Sequence, residues 1–359
     1  MYSSSFLRAL TLSALVLGPT FTLTGCGGGG GGNSGPQMPT SPRPTPGPPS
    51  PTPTAPPTGG GQLLFDDFTS PTLNSTVWDH YSDQQKLQRT LFGSNGINLN
   101  DNGTSFTRLT LDSYNPSAPG QFFRGTEIFT KNSYRVGNGL EAEARLRAPN
   151  LPSGLIFAFF LINGRYIGPF DEAGTNYRND EIDFEFVTKQ QEEFGGRNRL
   201  YTNVWNDWSQ PRFGFDGNPN PQDTPDRNND DLVYLPSVDP GYDYAAWNTY
   251  KIRWLPNRTE FYVNNRLERV ENEVKPDQAL SLHFNFWTPT GDFVQAFSGN
   301  LPGPVSTADN PDRRTYQFDV DYVRVTSLGA GANSARVATG DEAAKELPAN
   351  AKSFRTLGK

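Results

Sequence analysis

Eleven residues, Asn179 to Lys189, read NDEIDFEFVTK and set acids at alternate positions: Glu181, Asp183 and Glu185. Ile182, Phe184 and Phe186 fill the places between and after them. In a β-strand, residues two apart project from one face, so the acids share one side and the apolar residues the other. A helix would mix the two sets around one short turn. Carboxylates ~6.7 Å apart along a strand repel unless something disperses their charge, and a merely solvated face usually intersperses Lys, Arg or Thr. Glycoside hydrolysis gives the arrangement a use. One carboxyl acts as acid and a second as nucleophile or as base on water, at ~5–5.5 Å for retention or ~6.5–9.5 Å for inversion. Alpha carbons four apart in a strand are separated by ~13 Å, so the glutamates must lean together on a twisted strand, and spacing alone leaves both outcomes open. Asp183, between them, can share a proton or hydrogen bond with one glutamate, tuning its proton affinity and fixing its rotamer.

The rest of the composition narrows the chemistry. A formal net charge of −7 over 359 residues argues against a nucleic-acid partner and is compatible with a neutral polymer or small molecule. The single cysteine, Cys26, excludes an intramolecular disulfide and a Cys-cluster zinc site. With only two histidines, His80 and His283, a histidine metal centre is not expected, and a Ser-His-Asp triad would have to draw on His283. Catalysis then rests on carboxylates.

The elements that must hold those carboxylates have period two. LEAEARLRA (Leu140–Ala148) sends Leu140, Ala142, Ala144 and Leu146 one way and Glu141, Glu143, Arg145 and Arg147 the other. TYKIRW and TEFYVNNRL read as strands of a hairpin turning at Pro256-Asn257. GLIFAFFLI (Gly154–Ile162) is a strand covered on both faces, and YQFDVDYVRV (Tyr316–Val325) closes the domain. Trp78, Trp247 and Trp254 read as core. Many strands without βαβ alternation predict an all-β, two-sheet antiparallel sandwich over residues 62–328. Gly164–Arg178 and Asp207–Ala245 read as long loops at a functional rim, with Trp208 at the start of the second.

The two ends differ from this middle. Residues 1–26 carry one basic residue, Arg8, before an apolar run too short and interrupted for a membrane span, so a secretory signal is expected. The run ends in Leu23-Thr24-Gly25-Cys26, which resembles the lipobox of bacterial lipoproteins. That resemblance implies lipidation of Cys26 and a membrane anchor. Residues 27–61 are Gly, Pro and Thr-rich, the composition of an extended linker. Residues 329–359 read as a disordered or loosely helical tail. The expected location is the cell surface, the periplasm or the outside of the cell.

DEIDFEF resembles the signature of glycoside hydrolase family 16, in the regular form without an extra residue before the last glutamate, as in the lichenase and xyloglucan-enzyme branch. The resemblance implies a concanavalin A-like β-jelly roll and a retaining mechanism with Glu181 as nucleophile, Asp183 as its helper and Glu185 as acid/base. It also implies cleft roles for neighbouring residues. Arg124, in QFFRGTEIF, binds sugar hydroxyls or pairs with the nucleophile. Asn203 and Trp205 share a face in RLYTNVWND, and His283, Asn285 and Trp287 share one in SLHFNFWTP, with Trp287 matching a sugar-stacking tryptophan and His283 a supporting hydrogen bonder. No cofactor is required. A structural calcium far from the cleft, held by an acid of the first strand and one of the last, would use Asp67 and Asp321.

The expected activity is retaining endo-hydrolysis of β-1,3/1,4-linked glucan by a surface-tethered monomer. A transglycosylase remodelling β-glucan or a related polysaccharide is the second reading, and a non-catalytic carbohydrate-binding lipoprotein the third. The two rim segments depart from the lichenase pattern, so the sugar itself stays open.

Overall fold

The structure is a computed structural model that describes residues 60–81, 85–94, 97–99, 106–149, 151–166, 177–197, 199–208, 232–234, 242–291, 293–329 and 335–338. The signal, Cys26 and nearly all of the linker lie outside the described residues. In chain order the strands are β1 (Gln62–Asp66), β2 (Trp78–His80), β3 (Gln85–Leu87), β4 (Thr90–Phe92), β5 (Ile97–Leu99), β6 (Thr107–Asp112), β7 (Phe123–Arg135), β8 (Leu140–Arg147), β9 (Ile156–Tyr166), β10 (Tyr177–Val187), β11 (Arg199–Trp208), β12 (Leu232–Tyr234), β13 (Asn248–Leu255), β14 (Arg258–Val263), β15 (Arg266–Glu271), β16 (Leu280–Trp287), β17 (Thr315–Ser327) and β18 (Arg336–Val337). Among the described residues one short helix, α1 (Gln190–Phe194), follows β10.

These strands form the two layers of a jelly roll. One runs β12-β11-β10-β9-β16-β7, with β2 and β18 along the far side of β7. The other runs β15-β14-β13-β8-β17, with β1 and β6 beyond β17. β7 passes between layers: Phe123–Gly125 pair with β4, while Thr126–Tyr134 pair with β16. Gly125 sits at that crossing, where an added Cβ would meet the Thr90 methyl at 2.3 Å and the Phe286 carbonyl oxygen at 2.6 Å. A larger residue cannot occupy the crossing without shifting a strand.

The core lies between the layers and is heavily aromatic. Phe157 of β9 stacks on Phe186 of β10 with ring centroids 4.3 Å apart, and Phe184 meets Phe261 of the opposite layer edge-on at 5.2 Å. Burying each such ring stabilises the fold by about 1.5–3 kcal/mol. Together these contacts anchor the apolar side of β10 to both neighbours. Trp78 and Trp254 are fully buried, as expected, but Trp247 is not in the core. It lies half-buried on the outer face, with the Arg147 guanidinium 4.4 Å from its ring centre and Arg145 at 5.1 Å.

That outer face also differs from a solvated polar stripe. Glu141 and Glu143 of β8 are buried, because each is enclosed by cations from the strands beside it. Glu141 pairs with Arg253 at 2.8 Å, and Glu143 with Arg324 at 2.7 Å and Lys251 at 3.2 Å.

Three boundaries move relative to the sequence pattern. TEFYVNNRL is not one strand: Asn264 and Asn265 take positive φ (49° and 64°) and turn β14 into β15, as an Asx-rich two-residue hairpin does. Parts of the two rim segments are strand, since β9 extends to Tyr166, β10 begins at Tyr177 and β12 falls within the second segment. Within the expected tail, β18 pairs with Tyr134 and Arg135, and the flanking Ala335 and Ala338 are buried.

Candidate active site

Eleven consecutive pairs, Tyr177↔Tyr166 to Val187↔Ile156, join β10 to β9 without a shift. That ladder fixes the parity of the acid strand: Ile182, Phe184 and Phe186 are fully buried in the core, and Glu181, Asp183 and Glu185 take the other side. On β11 the acids face Trp205, Asn203 and Tyr201 in turn, after a register irregularity between Asn179 and Glu181. Such bulges commonly re-aim side chains next to active sites. Glu181 and Glu185 are half-buried, while Asp183 is only 3 % exposed.

Asp183 is held from the neighbouring strand. Its Oδ1 accepts the backbone N–H of Asn203 at 3.1 Å, and its carboxylate accepts a hydrogen bond from the Trp205 side chain. Burial raises its proton affinity well above the usual carboxylate range, and the charges of Glu185 and Glu181 raise it further. The Trp205 hydrogen bond and the positive charge of Arg269 oppose that rise. Burial pushes Glu185 up to about 7. A carboxyl in that range still carries its proton near neutrality and can give it up within a reaction, as a general acid must.

The floor of this face continues across β9 and β16. Phe160, opposite Asp183, packs against His283 with ring centroids 5.0 Å apart, and Phe129 stacks on the other flank of the imidazole at 5.0 Å. His283 Nδ1 lies 2.7 Å from Glu127 Oε1, and its Nε2 lies 2.8 Å from Ser281 Oγ. All three groups are buried. Asn285 occupies the row of Glu185 and Ala158 and faces Glu127. Its Oδ1 is buried and has no hydrogen-bond partner among the described residues. A ligand hydroxyl would satisfy it.

Asn203, Trp205, His283 and Asn285 therefore gather on the sheet face that carries the acids. Trp287 is there too, but it is only 6 % exposed and packs with Phe92, Ile156, Val187 and Ala296, with Phe293 stacked at 6.4 Å. Arg124 lies at the start of β7, in register with Leu91 and Asp112, away from the rows of the acids. The register delivers Glu127 of β7 to the row of Glu185 and Phe129 to the row of Asp183. The alternation of Glu127 with Ile128 in GTEIF carried the same signal as the acids of β10, whereas Arg124 was implied by the resemblance of its segment. Tyr201, next to Glu185, was equally readable from parity. The side chain of Trp208 lies outside the described residues.

The implied calcium does not fit its assigned acids. Asp321 Oδ2 is 2.7 Å from Arg145 Nη1, so a buried guanidinium already neutralises it. Asp67 Oδ1 caps Thr69, accepting its hydroxyl at 2.8 Å. Among the described residues, no group of three His, Cys, Asp or Glu side chains is arranged to hold a metal ion.

With this geometry in place, the family model for glycosyl hydrolases family 16 matches residues 84–323. The chain belongs to glycosyl hydrolase family 16. As a family 16 chain it is a glycoside hydrolase on a β-jelly roll. It is similar to the β-glucanase of Bacillus subtilis (strain 168), 27 % identical over 251 residues that cover 68 % of this chain and 83 % of the relative. It is likewise similar to the β-glucanase of Bacillus licheniformis, at 25 % over 251 residues, or 68 % and 82 %. Among solved structures, the endo-1,3-β-glucanase of Streptomyces sioyaensis superposes with a TM-score of 0.53 at 16 % identity, covering 77 % of this chain and all of the other (100 %). The Bacillus licheniformis β-glucanase structure gives 0.50 at 20 % identity, covering 74 % and 98 %. At those identities the superpositions establish the shared fold.

Proposed function

We propose that this family 16 enzyme is an endo-acting β-glucanase that cleaves β-1,3/1,4-linked glucan with retention. The observation that carries the reading is the division of labour on β10: Glu185, its proton affinity raised to about 7 by burial, stands on the same face as Glu181, with Asp183 held between them by Asn203 and Trp205. Glu185 protonates the departing glycosidic oxygen while the Glu181 carboxylate attacks the anomeric carbon. The glycosyl–Glu181 ester is then hydrolysed by water that Glu185, now ionised, deprotonates. Asp183 shares a proton with its neighbours, which relieves the repulsion that three carboxylates would otherwise suffer. Trp205 offers an aromatic face to a sugar ring, and the Asn285 amide a partner to its hydroxyls.

The named activities of the Bacillus and Streptomyces relatives support β-glucan as substrate. Upstream of the domain, the Cys26 lipobox and the Pro-rich linker support an exported enzyme tethered to a membrane. Mixed-linkage glucan hydrolysed in an NMR tube tests the mechanism. The β-anomer of the new reducing end should appear first, and an initial α-anomer would overturn retention. Products longer than the donor, formed when an oligosaccharide acceptor is added, would replace the hydrolase by the transglycosylase. Labelling with a radioactive fatty acid, lost in Cys26→Ser, tests the anchor.

A further inference from the structure

Arg269 lies on β15, the edge strand of the layer opposite the acids, in register with Phe261 of β14. Its guanidinium rests 5.8 Å from the centre of the Phe261 ring. From there Nη1 donates to the carbonyl oxygen of Thr202 and, at 3.0 Å, to Thr202 Oγ1, while Nη2 donates to Glu271 Oε2 at 3.0 Å. The Thr202 carbonyl and the Asn203 N–H belong to one peptide group. That N–H is the one donated to Asp183 Oδ1 at 3.1 Å. No peptide bond among the described residues is cis, so this carbonyl and amide point opposite ways across the strand. Among the described residues, β12 pairs with β11 over Arg199–Tyr201, and the Thr202 carbonyl beyond that ladder accepts Arg269.

We infer that Arg269 is a positioning residue for the catalytic acids, acting on Asp183 through the Thr202–Asn203 peptide group. A guanidinium on the carbonyl oxygen draws electron density through the amide, makes its N–H a stronger donor, and so stabilises the carboxylate that accepts it. The positive charge also acts directly on Asp183 in the same sense. The other groups facing Asp183 are Glu181 and Glu185 on its own strand, Asn203 and Trp205 on β11 with Tyr201 one row away, and Phe160 on β9. His283 and Glu127 lie beyond Phe160 on β16 and β7. Arg269 is the cation in this set, and it reaches the acids from the edge of the sheet without occupying substrate space. It keeps the proton on Asp183 exchangeable where burial would otherwise lock it in place.

The inference rests on the reading of Glu181, Asp183 and Glu185 as the catalytic acids, and its test separates the two. In the full chain, Arg269→Met should lower kcat on the order of tenfold, the equivalent of one pKa unit of lost charge stabilisation, with KM nearly unchanged. With Asp183 holding its proton more tightly, its charge no longer opposes ionisation of Glu185, so the alkaline limb of the pH–rate profile should move to lower pH. Arg269→Lys, which keeps the charge but loses the forked geometry, should restore the limb more fully than kcat. Arg266→Met, on the same strand and paired with Glu268, should behave as the parent enzyme. A wild-type profile in Arg269→Met, or a fall in kcat with the limb unmoved, overturns the inference. Glu181→Gln measured in parallel must abolish turnover; if it does not, the catalytic reading itself fails, whatever Arg269→Met does.

Discussion

The Asn203 backbone nitrogen lies 3.1 Å from Oδ1 of Asp183, so the middle acid of β10 is oriented by the main chain of the strand beside it. Asp183→Asn keeps the shape but gives that N–H a weaker acceptor and removes a proton-sharing group. We expect kcat to fall by about 10²–10³, within the range of a lost acid–base partner, while KM changes little. Steady-state kinetics on mixed-linkage glucan measure the split, and an undiminished kcat would remove Asp183 from the mechanism.

The alkaline limb of the rate profile should fall near pH 7, where Glu185 loses its proton. Stability follows the same titration. The folded-state pKa is raised above that of the unfolded chain, so the contribution is fully present below the ordinary glutamate range and is lost as pH rises through about 7. Glu185→Gln mimics the protonated form. It should therefore be inactive yet more stable than the parent by about 1–3 kcal/mol at pH 8, with little difference at pH 4. Thermal melts at the two pH values decide it, and equal shifts at both would contradict the burial argument.

Glu143 accepts Arg324 at 2.7 Å, the Tyr322 hydroxyl at 3.1 Å and Lys251 at 3.2 Å while almost fully buried. Glu143→Ala takes a buried carboxylate partner from Arg324 and leaves Lys251 with Glu141 at 3.5 Å, and should cost about 3–5 kcal/mol. Urea denaturation would show this as a lower midpoint at unchanged slope. Activity below the transition should survive, because β8 lies in the layer away from the acids.

Asp321 is paired with Arg145 at 2.7 Å. A chelator should leave the melting temperature unchanged, whereas Arg145→Met, which leaves Asp321 buried without that partner, should lower it. A chelator-induced fall in the parent protein would show that a bound cation matters elsewhere.

Much of this was legible in the sequence because a strand has only two faces. Parity alone placed Glu181, Asp183 and Glu185 together, opposite Ile182, Phe184 and Phe186, and did the same for Asn203 with Trp205 and for His283 with Asn285. Parity could not see what depends on a third strand. The burial of Glu141 and Glu143 needs Arg253, Lys251 and Arg324 from two other strands. Trp247 suggested the core only by its bulk: it has the parity of Thr249, Lys251 and Arg253, and it meets two arginines on the outer face. Arg269 reaches Thr202 from a different layer, a contact that no spacing within one segment encodes. Arg124 was implied by the resemblance of its segment, and it belongs to the part of β7 that pairs with β4 and not with β16.

The eleven unshifted pairs between β9 and β10 have an evolutionary consequence. Substitution can adjust any one side chain of this strand by degrees, but a single inserted or deleted residue would exchange carboxylates for phenylalanines along everything downstream of it. Descendants of this chain can therefore drift in composition at β10 while its length stays frozen, and changes in chain length are channelled into the segments between strands.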